Sequence, residues 1–294
     1  MVKNSMTTEQ YREASLKFNT GFVRRQFDKT STFTCAKLNE FDCLKHGFTT
    51  RVGGISDGGC SSLNLCFTRD DSDENVLKNF RILCGEQGLD IESMALVNHE
   101  HSNNVLVIDK TAGGCGILRD PLQFSDGFVT NDPDITLVTS HADCSAYFFF
   151  DPVTRSIGLC HAGWKGTIAR IGKNVVEAMT RSFGADPADI ITCVGPCICG
   201  KCFEVDYSLG ERFVREFGAD CLITSVKGEK AYLDIEAAGA IQMLEAGINP
   251  EHITLMHACT YELDDDFFSY RRDRGITGSM IAYMKIYNSS VAKQ

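Results

Sequence analysis

The chain has 294 residues, 43% of them hydrophobic and 10% aromatic, and a formal charge of −10. That length suits one large domain or two small ones with a real core, and 26 Gly against only 6 Pro exclude a collagen-like chain. The acidic balance excludes non-specific nucleic-acid binding, which needs a basic footprint, but leaves room for a local Arg/Lys pocket that takes a small anion.

Residues 1–18 are expected to form a polar extension, since "MVKNSMTTEQYREASLKFNTGF" lacks the apolar stretch of a secretory signal. No apolar run is long enough to cross a bilayer. A cytoplasmic protein without a membrane partner is therefore expected, its 14 Cys being mostly reduced thiols rather than a disulfide framework. Cys84, Cys160 and Cys221 sit among apolar neighbours and read as small core residues.

Short strand-like runs fill residues 20–50, and Gly53-Gly54 with "SDGG" at 56–59 marks a Gly-rich loop. "DENVLKNFRILCGEQG" predicts a helix with Val76, Leu77, Phe80 and Leu83 on one face and Gly85 near its end. "SMALVNHEHSNNVLVID" reads as a strand, a polar interruption and a second strand. The centre is β-rich, with "DGFVTN", "ITLVTS", "SAYFFF" and "RSIGLC" as strands. After "HAGWKG", the positions of Ile168, Ile171, Val175, Val176, Met179 and Phe183 predict one amphipathic helix. A strand at "IITCVGP", helices near 206–217 and at "LDIEAAGAIQMLEAG", and a strand around 253–257 complete the pattern. Hairpins are too frequent for a doubly wound parallel sheet. The expectation is one α+β domain over residues 19–288, with mixed sheets and flanking helices in a layered αββα arrangement, followed by a tail at 289–294.

The stretch "HADCSAYFFFDPVTRSIGLCHAGWKG" carries His141, Cys144 and His161 around an apolar hairpin whose turn is "DPVT". If Phe150 pairs with Arg155, the antiparallel register puts Cys144 directly opposite His161, with Cβ atoms about 5 Å apart. Two such groups suit one metal or a thiol–imidazole nucleophile pair. A catalytic zinc site takes three protein ligands and keeps a position for water, so a third is sought among His101, His99, His141 and Asp143. A lone Cys or His beside a strand is also an ordinary core residue, and these alternatives stay open on the residues alone.

The motifs "HGFTTRVGGIS…SSLNL", "HEHSNNV", "HADCSAYFFFDP", "CHAGWKGT", "GPCICGKCFEV" and "FFSYRRD" stand in the order seen in the laccase-domain or polyphenol-oxidase-like family. The chain resembles that family over about residues 40–285. The resemblance implies a metal triad of two His and one Cys, which falls here on His101, Cys144 and His161. "HEH" stands where many members have "QVH", so His99 occupies the usual Gln position. The resemblance also implies a zinc enzyme, with copper as the alternative metal. The implied activities are phosphorolysis of adenosine, inosine, guanosine and methylthioadenosine, and deamination of adenosine. A His-Cys-His zinc suits deamination because the metal lowers the pKa of bound water, with Asp143 to orient that water or shuttle a proton.

For phosphorolysis, Arg51 in "TRVGG" and Lys165 with the helix N-terminus near Gly166–Thr167 are the candidate phosphate ligands, and Trp164 is a candidate to stack on a base. "TGSM" departs from the family's commoner "TGR": Ser279 replaces that Arg, and Arg274 is the candidate to compensate. The run Cys193, Cys197, Cys199 and Cys202 lacks the two separated Cys-x-x-Cys pairs of a zinc ribbon and reads as a tight structural loop. Two further enzyme readings stand beside the first. One is a thiol hydrolase with Cys144 as nucleophile and His161 as base, acting on peptidoglycan precursors. The other is a copper-dependent phenol oxidase, which 7 His in total do not equip for several coppers. A monomer or weak dimer is expected.

Overall fold

Alternation along "SAYFFFD" decides the layering. In strand β8 (Ser145–Asp151) every residue is buried. Phe148 and Phe150 join one apolar cluster, while Tyr147 and Phe149 join another, as the two-residue period of a strand requires. The structure, a computed structural model, describes residues 21–225 and 229–288. The expected extension at 1–18 and tail at 289–294 lie outside the described residues.

Two six-stranded mixed sheets form the centre. The first, in the order β1-β2-β3-β15-β7-β4, is built from β1 (Phe22–Gln26), β2 (Ser31–Cys35), β3 (Leu44–Thr49), β4 (Met94–Leu96), β7 (Thr136–His141) and β15 (Met280–Ile286). The second, β14-β10-β8-β9-β6-β5, adds β5 (Val105–Val107), β6 (Gly127–Thr130), β9 (Ser156–Ala162), β10 (Ile191–Val194) and β14 (Ile253–Leu255) to β8. A small sheet of β11 (Glu204–Asp206), β13 (Lys230–Leu233) and β12 (Leu222–Ser225) stands apart from both.

Between the two large sheets, Phe148, Phe150 and Leu159 pack against Phe48, Met280 and Met284. Helix α1 (Asp73–Gln87) covers the outer face of the first sheet, laying Val76, Phe80 and Leu83 on Val138 and Ile281. Outside the second sheet lie α3 (Ile171–Phe183) and α4 (Ile235–Glu245), whose Val175, Met179 and Met243 meet Tyr147 and Phe149. The order is thus helix, sheet, sheet, helix, as expected for the α+β class. Each fully buried Phe contributes about 1.5–3 kcal/mol of transfer free energy.

Helix α1 spans the stretch expected for it, passing through Gly85 and ending at Gly88, whose φ of 60° closes it from the left-handed region. Two local expectations are corrected. The single helix expected after "HAGWKG" is two: α2 (Trp164–Ile168) and α3. Arg170, at φ 62°, turns the chain between them, held by Glu245 at 2.7 Å and stacked on Phe217 at 3.9 Å. The β8–β9 hairpin also pairs Phe150 with Ile157, not Arg155. The Asp151 carboxylate accepts from Val153 N at 2.9 Å and from Thr154 Oγ1 at 2.5 Å, which keeps Pro152–Arg155 as the loop. His161 therefore faces Ala146, and Cys144 lies two residues from Ala146, just beyond the last paired position, Ser145. A slip of two preserves the face, so Cys144 still precedes the row that looks between the sheets.

Candidate metal centre

The centre lies at one end of the sandwich, where two connections cross between the sheets. The first runs from β4 to β5 and carries His99 and His101; the second runs from β7 to β8 and carries Asp143 and Cys144. The "polar interruption" of the sequence is thus a crossover. His161 reaches the same place from the end of β9, 2% exposed.

Ligand atoms of His101, Cys144 and His161 all lie within 4.8 Å of one another. Each is held from behind. Asp126, fully buried just ahead of β6, bonds His161 Nδ1 at 2.9 Å and accepts from the backbone N–H of His101 at 3.1 Å and of Ser102 at 2.6 Å. His161 Nδ1 is thereby kept as donor and Nε2 is left for a metal, the carboxylate–histidine arrangement of ligating imidazoles. His141 steadies the Cys144 turn: its Nδ1–H donates to Cys144 O at 3.1 Å, and its Nε2 accepts from Thr139 Oγ1 at 2.7 Å. His101 and Asp143 hold φ values of 63° and 85°, uncommon for residues with a side chain and concentrated at sites the surroundings over-determine. Gly163 closes the group, since a Cβ there would stand 3.0 Å from His101 Cδ2 and 3.1 Å from Cys144 Sγ.

The electrostatics are those of a ligand set. Burial would raise the Cys144 thiol, but the His161 charge and hydrogen bonds from His101 and His161 outweigh it and bring it down to about 6. Burial would lower His161, but the Cys144 and Asp126 charges raise it to about 9. For Asp126, burial is likewise overcome by the His161 and Ser102 bonds, which draw it to about 2. Burial and the neighbouring His161 push His99 down to about 3, and burial holds His141 well below the usual imidazole range. Both stay neutral. His99 stacks on His161 with centroids 4.5 Å apart and lies outside the three-ligand group. Two imidazoles, one thiolate and a buried carboxylate behind them fit a zinc-class ion with an open position.

Above the three ligands is a cavity of about 460 Å³, lined by Trp164, Phe203, Tyr270, Arg69 and Arg271 among others. Arg69 lies over Tyr270 at 5.4 Å and donates Nε to Ser279 Oγ at 2.9 Å. Arg69 thus reaches Ser279, where the family's commoner residue is Arg, while Arg274 is exposed. Arg271 is over Phe203 at 5.3 Å. Asp143 also lines the cavity; its carboxylate accepts from Thr260 Oγ1 and from Arg271 N, each at 2.7 Å.

Two expected phosphate ligands are not brought to the cavity. Arg51 gives Nε and a terminal nitrogen to Ser61 O at 3.0 and 2.7 Å, another to Asp264 O at 3.2 Å, and covers Phe268 at 4.5 Å. Lys165 is exposed beside Trp164. The helix start expected near Gly166–Thr167 falls at Gly163–Trp164 and belongs to a helix of 5 residues. Asp126 was not singled out in the sequence. It is opposite His161 only by continuing the β6–β9 pairing, in which Gly127 meets Cys160, and no turn joins those strands to set their register.

Comparison with known proteins bears on the family and the fold. Purine nucleoside phosphorylase YlmD of Bacillus subtilis is 33% identical over 242 residues, 81% of this chain and 87% of that protein. A purine nucleoside phosphorylase of Deinococcus radiodurans is 37% identical over 239 residues, 81% of this chain and 88% of that one. The crystal structure of YlmD from Geobacillus stearothermophilus superimposes with a TM-score of 0.85 at 28% identity, covering 91% of this chain and 100% of that one. A family model described as "Multi-copper polyphenol oxidoreductase laccase" matches residues 45–287, and the chain belongs to that family.

Proposed function

We propose that the protein is a zinc-dependent purine nucleoside phosphorylase that also deaminates adenosine. The observation that carries the reading is the His101–Cys144–His161 group at the base of an aromatic cavity that also holds Arg69 and Arg271. The names of the relatives point the same way. When bound, zinc would supply Lewis-acid polarisation at the cavity floor. His101, Cys144 and His161 would hold it, with Asp126 fixing the proton on His161 Nδ1.

In phosphorolysis a phosphate oxygen bonds to ribose C1′ as the glycosidic C–N bond breaks, and the purine leaves with that electron pair and takes up a proton. Arg69 and Arg271 are the cations in the cavity lining and are assigned to phosphate, a role their planar forks suit. Trp164, Phe203 and Tyr270 offer rings for the base. Asp143 is the carboxylate in the lining. Each of its oxygens keeps a second lone pair, and it is assigned to orient water or move a proton in deamination.

The test is to incubate the protein with adenosine, inosine, guanosine or methylthioadenosine, with and without phosphate, and to resolve the products. Free base and ribose 1-phosphate should require phosphate, while inosine from adenosine should not. Neither product from zinc-loaded protein overturns the reading. Arg69→Ala should raise KM for phosphate about tenfold, the cost of one charge-assisted contact, with less effect on deamination.

A thiol hydrolase is the second reading, favoured by one observation: Cys144, His161 and Asp126 stand in the order nucleophile, base and orienting carboxylate. Such an enzyme keeps its turnover when stripped of metal and loses it on alkylation. The phosphorylase loses turnover on stripping and regains it with zinc.

A further inference from the structure

Behind the cavity wall, a second set of metal-ligating side chains converges from two turns. Cys199 and Cys202 frame "CGKC", and Cys259 and Glu262 frame "CTYE". The four ligand atoms all lie within 4.8 Å of one another, although Cys199 and Cys259 are 60 positions apart in the chain. A parallel bridge between Cys197 and Cys259 fixes the two segments side by side, closed by Cys197 N to Ala258 O at 3.2 Å and Thr260 N to Cys197 O at 3.0 Å.

Each pair rides a tight turn. The N–H groups of Cys202 and Phe203 both donate to Cys199 O at 2.9 Å, and Leu263 N donates to Cys259 O at 3.0 Å. Cys199 N also donates to Cys259 Sγ at 3.3 Å, a backbone bond of the kind that stabilises a thiolate ligand. Two turns, each offering ligands at positions one and four, are the knuckle geometry of structural zinc sites. His257 lines the neighbouring cavity but is engaged by Glu236, at 2.8 Å through its N–H and 2.7 Å through Nδ1.

We propose that Cys199, Cys202, Cys259 and Glu262 form a second metal site, taking a zinc-class divalent ion in a closed tetrahedral set of three thiolates and one carboxylate. On binding, each thiol that carries a proton releases it to solvent and forms a sulfur–metal bond, with no change of oxidation state. Four protein ligands leave no position for water, so the site is structural. It staples the segment holding Ile198 and Phe203, two residues of the cavity wall, to the segment holding Thr260. Ile198 N donates to Asp143 O at 2.9 Å, and Thr260 Oγ1 donates to the Asp143 carboxylate at 2.7 Å. The staple therefore braces the turn that presents Cys144. The proposal does not depend on the substrate assigned above.

The test counts metal. Full-length protein purified under reducing conditions and equilibrated with zinc is desalted and assayed by plasma mass spectrometry. About two zinc ions per chain are expected, falling to about one in Cys144→Ser or Cys259→Ser and to none in the double variant. In case Cys259→Ser does not fold, Cys144→Ser refilled with cobalt(II) gives an independent reading. Its thiolate-to-cobalt absorption should be about three times as intense as that of a one-thiolate site, because three sulfurs contribute. One zinc in the wild type with none in Cys144→Ser overturns the proposal. So does a Cys199–Cys202 disulfide in the reduced preparation, found by peptide mass. No arm of the test reads turnover, so its outcome is separate from that of the phosphorylase assay.

Discussion

The residues of the first centre are held from behind by buried side chains, whereas those of the second ride on two tight turns held by backbone hydrogen bonds. Asp126 is fully buried and bonds two of the elements that deliver His101 and His161, and His141 clamps the carbonyl of Cys144. At the second set Glu262 is exposed and Cys199 and Cys202 are half-buried, with backbone turns as their support. On the proposed reading, the first arrangement would present an ion to a cavity with its ligands already oriented. The second is built to be completed by the ion itself. The difference is that between a site that preorganises chemistry and one that contributes folding energy.

Removing a ligand from the first centre should give the largest effect. In Cys144→Ser, turnover should fall on the order of a thousandfold as the ion is lost, while the melting temperature changes little, because strands β8 and β9 keep their pairing. Cys259→Ser should reverse the pattern, with a marked drop in melting temperature and a smaller loss of turnover. Equal losses of both quantities in both variants would erase the distinction.

Next in size is Asp126→Asn. An amide cannot replace the carboxylate that accepts from His161 and from three backbone N–H groups. Zinc affinity at the first centre should fall about 10–100-fold, the usual cost of losing such a partner, with the second site unchanged in a competition titration. Gly163→Ala should follow at about tenfold, since sub-ångström displacement of ligands weakens a site that depends on orientation. Its Cβ would crowd His101 and Cys144, so the same titration reads the effect.

How legible each region was in the sequence follows the same division. The pairing of Cys144 with His161 was readable because both flank one hairpin, and strand parity survives a register error of two. The error arose at Asp151, which pairs with Ser156 and whose carboxylate organises a four-residue loop shifted one position along from "DPVT". The position of Arg51, outside the cavity lining, was not readable for the opposite reason: its partners Asp264 and Phe268 come from the far end of the chain, and no local pattern announces them. Arg69 was not singled out because its place in the cavity lining depends on contacts such as that with Ser279, 210 positions away. The Cys run does form a tight turn, but its division needed the fold: Cys199 and Cys202 converge with Cys259 and Glu262, while Cys193 is buried in the core between the sheets. Local pairings can be read from spacing, but contacts between crossovers need the fold.

The smallest effect is the one that separates the two regions most directly. Metal-free, Cys144 is a thiolate above about pH 6 and His161 is protonated below about pH 9. The lowered thiol contributes stability that is lost as pH falls through about 6, and the raised imidazole contributes stability that is lost as pH rises through about 9. Between those limits, zinc binding at the first centre displaces the His161 proton and finds the thiol already ionised. At the second set, burial and neighbouring thiols push Cys202 and Cys259 up, so both arrive protonated and both protons must leave. Calorimetric titration near pH 7.5 in buffers of different ionisation enthalpy should then show about one proton released by Cys259→Ser, which keeps the first centre. Cys144→Ser, which keeps the second, should release about two or more. Equal proton counts would mean that the fold prepares neither set of ligands better than the other.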